Sequence, residues 1–201
     1  MMGVIMNARG IKTRKRMVRG AAQLLRERGY TGTGFREVIE LTGAPRGSIY
    51  HHFPGGKAEL AGEAVGYVGS LARRAIEGSL ADGDPIAALR AFVELWRADF
   101  ERSGYRAGCP IVAVAVENHD EAPELLEAAD RAFEQWETAF ADALHRAGVG
   151  RARATRLASL VVAAVEGAIV LSRARRDPEP LLSVALELEA TLSAALEASR
   201  G

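Results

Sequence analysis

Gly43-Ala44-Pro45-Arg46-Gly47-Ser48-Ile49-Tyr50-His51-His52-Phe53 is the stretch on which the reading of the whole chain turns. Pro45 fits the first position of a helix, where its missing N–H loses no partner, with Ala44 as the cap and Gly43 as the turn. Ile49 and Phe53 lie four apart and face inward together. Arg46, Ser48, Tyr50 and His51 then point elsewhere and carry hydrogen-bonding groups outward. Gly47 has no side chain, so another backbone can come close. A short helix with a glycine in it is poorly built for stability alone, and the pattern suits a helix shaped to lie on a partner.

Working back from this stretch, Thr13 is placed to cap a helix running to about Arg28, with Met17, Ala21, Leu24 and Leu25 as its inner stripe. Lys15, Arg16 and Arg19 make its opening basic, and Gly29 ends it. A second helix is expected from Phe35 to Leu41, with Phe35, Val38 and Ile39 inward and Glu37 reaching back to the cap. Pro54-Gly55-Gly56 ends the third helix, and Lys57 opens a long fourth one with Leu60, Ala64, Val65, Val68 and Leu71 on its apolar side. Three short helices in about 45 residues match the scale of a helix-turn-helix unit.

The remainder is helical by pattern. Leu89, Phe92, Val93, Trp96 and Phe100 share one face of a helix from about Pro85 to Arg102. Ile111 to Val116 is a nearly unbroken run of β-branched residues and alanine, which periodicity alone allows as a buried strand. No second strand exists to pair with it, so a buried helix is expected. Further helices are expected from Pro123, from about Ala152 to Arg175, and from Leu181 to Leu196. The fold class is therefore all-α with about nine helices: a three-helix head over residues 1–56 and a larger helical body over 57–201.

The chain has 201 residues, 48% of them hydrophobic, and a net charge of zero. Zero charge by itself argues against a nucleic-acid partner, but the distribution does not. Met1 to Leu60 holds 11 Lys and Arg against 4 Asp and Glu, and the rest holds 15 against 22. A basic head on an acidic body suits a DNA-binding unit joined to a regulatory one. Cys109 is the lone cysteine, so no intrachain disulfide forms and a reducing cytoplasm is expected. No apolar run is expected to reach the roughly 18 residues of a membrane span. Met1 to Lys12 lacks a signal-peptide core and reads as a disordered arm.

The helix opening with Thr13, Gly29-Tyr30, the second helix with Val38, and Gly47-Ser48-Ile49-Tyr50-His51-His52-Phe53 followed by Lys57, Glu59 and Leu60 resemble the DNA-binding head of the TetR/AcrR family of bacterial transcriptional regulators. Gly108-Cys109-Pro110 and the Ala/Val run after it resemble the LmrA/YxaF-type branch of that family. The resemblance implies a homodimer that binds double-stranded operator DNA and answers to a small-molecule effector, most simply as a repressor. It implies Pro45, Arg46, Gly47, Ser48, Tyr50, His51 and Lys57 at the DNA, with Thr33, Arg36 and Arg14 as weaker backbone contacts. One departure stands out: Gly34 occupies the place where the family has Ser or Thr. Glycine can cap with little loss but offers no hydroxyl to a phosphate, so either Thr33 serves instead or that contact is missing.

In the body, Trp96, Phe100, Cys109, Val112, His119, Phe133, Trp136, Phe140 and Glu166 are the candidate effector residues. For each aromatic one, plain core packing is the competing expectation. Glu166 lies inside an apolar run, where a lone carboxylate is costly unless it meets a ligand or an arginine across a dimer seam. Val161, Val165, Ile169, Leu182 and Leu186 are expected at that seam, in a four-helix bundle of two helices from each subunit. No cofactor, metal site or catalytic residue is assigned. Two rivals remain at this stage: an enzyme using Cys109 with His119 or His145 as base, and a helical adaptor whose head no longer binds DNA.

Overall fold

The computed structural model describes residues 8–80, 83–117 and 122–199. Within these residues the chain forms nine helices and no strand. They are α1 (Ala8–Arg28), α2 (Phe35–Thr42), α3 (Arg46–His52), α4 (Gly56–Gly78), α5 (Pro85–Ser103), α6 (Pro110–Ala115), α7 (Glu124–Arg146), α8 (Arg151–Arg175) and α9 (Glu179–Glu197).

The helix boundaries follow local chemistry. α2 starts at Gly34, whose N–H donates to Glu37 Oε2 at 3.0 Å, and stops at Gly43, which adopts φ 62°. Pro45 caps α3 in an extended conformation instead of filling its first turn, so that helix begins one residue later than expected. Asp84 caps α5 by accepting from the Ile86 N–H at 2.9 Å, with Pro85 next in line. Pro110 opens α6, and the Ile111 run is helical. Thr13 is not a cap. Helix is already present at Ala8, and the strong helix formers Arg9 and Lys12 carry it past that point.

α4 runs from the head into the body and packs on α1, α5 and α7; α7 packs on α8, α8 on α9, and α9 back on α5. One continuous apolar core joins Met17 and Ile49 in the head to Val161 and Leu192 in the body. Where α4 meets α7, a Cβ on Gly69 would stand 2.9 Å from Ala132 Cβ, so glycine lets the two helices close. The Trp136 indole N–H then reaches the Gly69 carbonyl at 2.9 Å. α8 is long enough, with mean hydropathy 1.8, to cross a membrane by composition, contrary to the sequence expectation. Half of that stretch is buried inside the chain, where it meets α7 and α9.

Candidate nucleic-acid interface

The outer face of α3 is open. Arg46, Gly47 and His51 are exposed, and Tyr50 is 68% exposed with its ring edge against Phe35 at 5.2 Å. Ile49 and Phe53 are buried beneath them. A Cβ on Gly47 would meet nothing within 4 Å, so the chain's own packing does not require a glycine there. Ser48 is half-buried and donates to the Pro45 carbonyl at 2.8 Å. Arg36 lies on the neighbouring α2 with its side chain 84% exposed, paired with Glu40 at 2.9 Å.

Three expected contacts are placed differently. Thr33 is 3% exposed and its hydroxyl donates to the Gly29 carbonyl at 2.8 Å, so it does not replace the hydroxyl missing at Gly34. Arg14 turns inward: it pairs with Glu59 and Glu63, donates to the His52 carbonyl and lies 4.7 Å from the Phe53 ring centre. It therefore holds α1, α3 and α4 together. Lys57 is half-buried with its ammonium 4.1 Å above the Tyr30 ring and 3.4 Å from the Thr31 carbonyl. Burial lowers its pKa, and the charges of Glu117 and Glu37 oppose that shift.

The junction between head and body carries a residue that sequence reasoning missed. Glu117, just past α6, accepts from the Tyr30 N–H at 2.6 Å, the Thr31 N–H at 2.9 Å and the Thr31 hydroxyl at 2.7 Å. Gly29 has φ 72°, and a Cβ there would run into the same carboxylate. The glycine is thus required both by conformation and by Glu117. Nearby, the Gly108 N–H donates to the Arg26 carbonyl at 2.9 Å, Arg173 donates to the Glu27 carbonyl at 2.9 Å, and Arg26 pairs with Asp99. Body residues therefore cap the last turn of α1.

The candidate effector residues divide. Trp96, Trp136 and Phe140 pack around Phe92 with ring centres 5.2 to 6.1 Å apart, and Phe100 stacks on Tyr105. All four are buried core, because α5 and α7 turn their aromatic stripes on each other. Val112 is half-buried on α6, and His119 lies outside the described residues. Phe133 and Glu166 line a common groove between α7 and α8. Glu166 is 7% exposed, meets no arginine, and neither carboxylate oxygen has a hydrogen-bond partner. Burial pushes its pKa up to about 8, and the nearby Cys109 thiol offsets this only in part. Cys109 is buried at the cap of α6, and its pKa is raised first by burial and then by Glu166. A protonated thiol is a poor nucleophile. His145 Nδ1 lies 3.1 Å from the Val149 carbonyl, and no bond to Cys109 is present among the described residues.

At the expected dimer seam, Val161, Val165 and Ile169 are 0%, 0% and 1% exposed and belong to the chain's own core, so they offer no surface to a second subunit. The outward apolar side chains of α8 are Leu160, Val170 and Leu171; on α9 they are Leu182 and Leu186.

Comparisons with known proteins agree with this geometry. A family model described as bacterial regulatory proteins, tetR family, matches residues 18–64. Another, described as the LmrA/YxaF-like transcriptional regulator C-terminal domain, matches residues 85–187. An HTH-type transcriptional regulator of Mycobacterium tuberculosis is 42% identical over 189 residues, covering 91% of this chain and 95% of its own. The HTH-type transcriptional regulator LmrA of Bacillus subtilis is 33% identical over 173 residues, covering 86% and 92%. A solved TetR regulatory protein from Rhodobacter sphaeroides superposes with a TM-score of 0.78 at 25% identity, covering 89% of this chain and 97% of that one. With both the head and the body matched, the chain belongs to the TetR family of DNA-binding transcriptional regulators, on its LmrA/YxaF-like side.

Proposed function

We propose that the protein is a homodimeric repressor whose grip on operator DNA is released by a small effector bound in the body. The observation that carries this reading is the outer face of α3, where Arg46, Tyr50 and His51 make no hydrogen bond or ion pair within the described chain. Exposed donors around a glycine with open space above it suit close contact with a duplex. Tyr50 and His51 serve the phosphates, and Arg46 reads a base edge or grips the backbone.

Residues 1–56 form the DNA-binding unit, and 57–201 the effector and dimer unit. The outward leucines and valine of α8 and α9 supply the seam of a two-fold four-helix bundle. Such a pairing sets two α3 helices about 34–36 Å apart, one turn of DNA. Effector binding acts through two routes into the head: α4, which is continuous with it, and α6, which ends two residues before Glu117. The effector changes DNA affinity only as far as it prefers one arrangement of these helices over the other.

A gel shift on the DNA upstream of the protein's own reading frame tests the reading, at two salt concentrations. Affinity is expected to fall steeply as salt rises. Absence of any salt-dependent binding would overturn it in favour of an adaptor with a vestigial head.

A further inference from the structure

The open groove between α7 and α8 has room for about 590 Å³, within the roughly 300–1,000 Å³ of small-molecule sites. Asp130, Phe133, Glu134 and Glu137 line it from α7, and Val162 and Glu166 from α8. Four of its lining residues are carboxylates and none is basic. The three α7 carboxylates recur at helical spacing on one face. None of the four enters an ion pair among the described residues, although Glu127 and Asp142 on the same helix both do. Glu166 stands apart from the other three because it is buried, and both of its oxygens lack a hydrogen-bond partner. A buried carboxyl without partners is costly, and a ligand that supplies them is a direct way to remove that cost.

We infer that this groove binds an organic cation with an aromatic body, its positive charge meeting Glu166 and its flat part lying on Phe133. The α7 carboxylates, exposed at Asp130 and Glu134 and half-buried at Glu137, draw the charge in, and Phe133 adds the attraction of a ring face for a cation. A neutral ligand of the same shape gains neither, and an anionic one also meets repulsion at the rim. The inference rests on the effector reading above. Glu166 and Cys109 influence each other electrostatically, and Cys109 caps α6, the helix that leads to Glu117 at the head. A cation that draws Glu166 toward the groove therefore acts beside the start of the helix that ends at the head.

The test is fluorescence anisotropy on the full-length protein with two dyes that share a xanthene scaffold, cationic rhodamine 6G and anionic fluorescein. Rhodamine 6G is expected to bind saturably and fluorescein at least ten-fold more weakly. At about pH 9, where the Glu166 carboxyl is ionised, Glu166→Gln should weaken rhodamine 6G about ten-fold, the scale of one lost charge-assisted contact. The double change Glu134→Gln with Glu137→Gln lies outside the buried core, and should weaken it several-fold while folding is retained. Glu127→Gln, outside the groove, should leave binding unchanged. Equal binding of the two dyes, absence of binding, or indifference to all of the groove variants would overturn the inference. Salt-dependent DNA binding is measured on the same preparations. If it persists while rhodamine 6G fails to bind, the groove assignment falls and the regulator reading stands.

Discussion

The outer face of α3 and the inner end of α1 belong to the same small head and treat their polar groups in opposite ways. On α3, the Arg46, Tyr50 and His51 side chains point into solvent without internal hydrogen bonds. At the end of α1, the carbonyls of Arg26 and Glu27 and the N–H groups of Tyr30 and Thr31 are all taken up by body residues. Polar groups left open mark where a second molecule supplies the partners. Polar groups closed by a distant part of the chain mark where movement of the body reaches the head.

The sharpest way to break this contrast is Gly47→Leu. No atom within 4 Å opposes a Cβ at that position, and leucine is the better helix former by roughly 0.8 kcal/mol. Thermal stability should hold or rise, while operator affinity falls roughly a hundred-fold, equivalent to about 2.7 kcal/mol of lost binding. Unchanged affinity in a gel shift would remove Gly47 from the contact surface. Leu186→Glu probes an open apolar face instead. Leu186 is 68% exposed, so the change should leave each chain folded within about 0.5 kcal/mol. Light scattering should report a monomer, and operator affinity should drop more than ten-fold. A dimer of full strength would move the seam elsewhere.

Smaller losses separate positioning from reading within the open face. Tyr50→Ala should weaken binding to all sequences alike. Arg46→Ala should change base preference if that side chain reads a base edge. An unaltered sequence profile would confine Arg46 to the backbone. On the closed side, Glu117→Gln turns a donor toward the Tyr30 and Thr31 N–H groups. It should lower stability by about 1 kcal/mol in chemical denaturation, because a charged acceptor is lost and a part-buried N–H is left facing a donor. Loss of no stability would show that the junction is held elsewhere.

How much of this was legible in the sequence follows the reach of each interaction. α3 was readable because Gly43, Pro45 and the Ile49–Phe53 pair act within one or two turns. The resemblance of these residues to a known head then added their roles. Glu117 was invisible for the converse reason: its partners Tyr30 and Thr31 are 87 and 86 residues away, and no periodicity links them. Gly29 held half of that signal but was read only as a helix stop. α8 failed differently. It is apolar nearly all round, so the pattern could not tell Val161, Val165 and Ile169, which face the core, from Leu160, Val170 and Leu171, which face out. Thr33 and Arg14 were exposed by type but buried or paired by packing, which spacing along one helix does not report.

The last contrast lies at Glu166, where the body resembles the open head face in one respect: a polar group awaits a partner. Its carboxyl titrates near 4.5 when the chain is unfolded and at about 8 in the fold, because burial disfavours the charged form. Between these values the unfolded chain releases a proton that the folded chain keeps. The stability associated with the neutral carboxyl is therefore complete below about 4.5 and is lost as pH rises toward about 8. The slope is about 1.4 kcal/mol per pH unit for one group. Glu166→Gln keeps the shape and removes the titration, so its denaturation midpoint should fall less between pH 5 and pH 8 (about three units of the range just derived) than that of the parent chain. The two proteins should differ most at the alkaline end. Parallel pH profiles would mean that the carboxyl is solvated in the fold, and that the groove offers an incoming charge no unsatisfied partner.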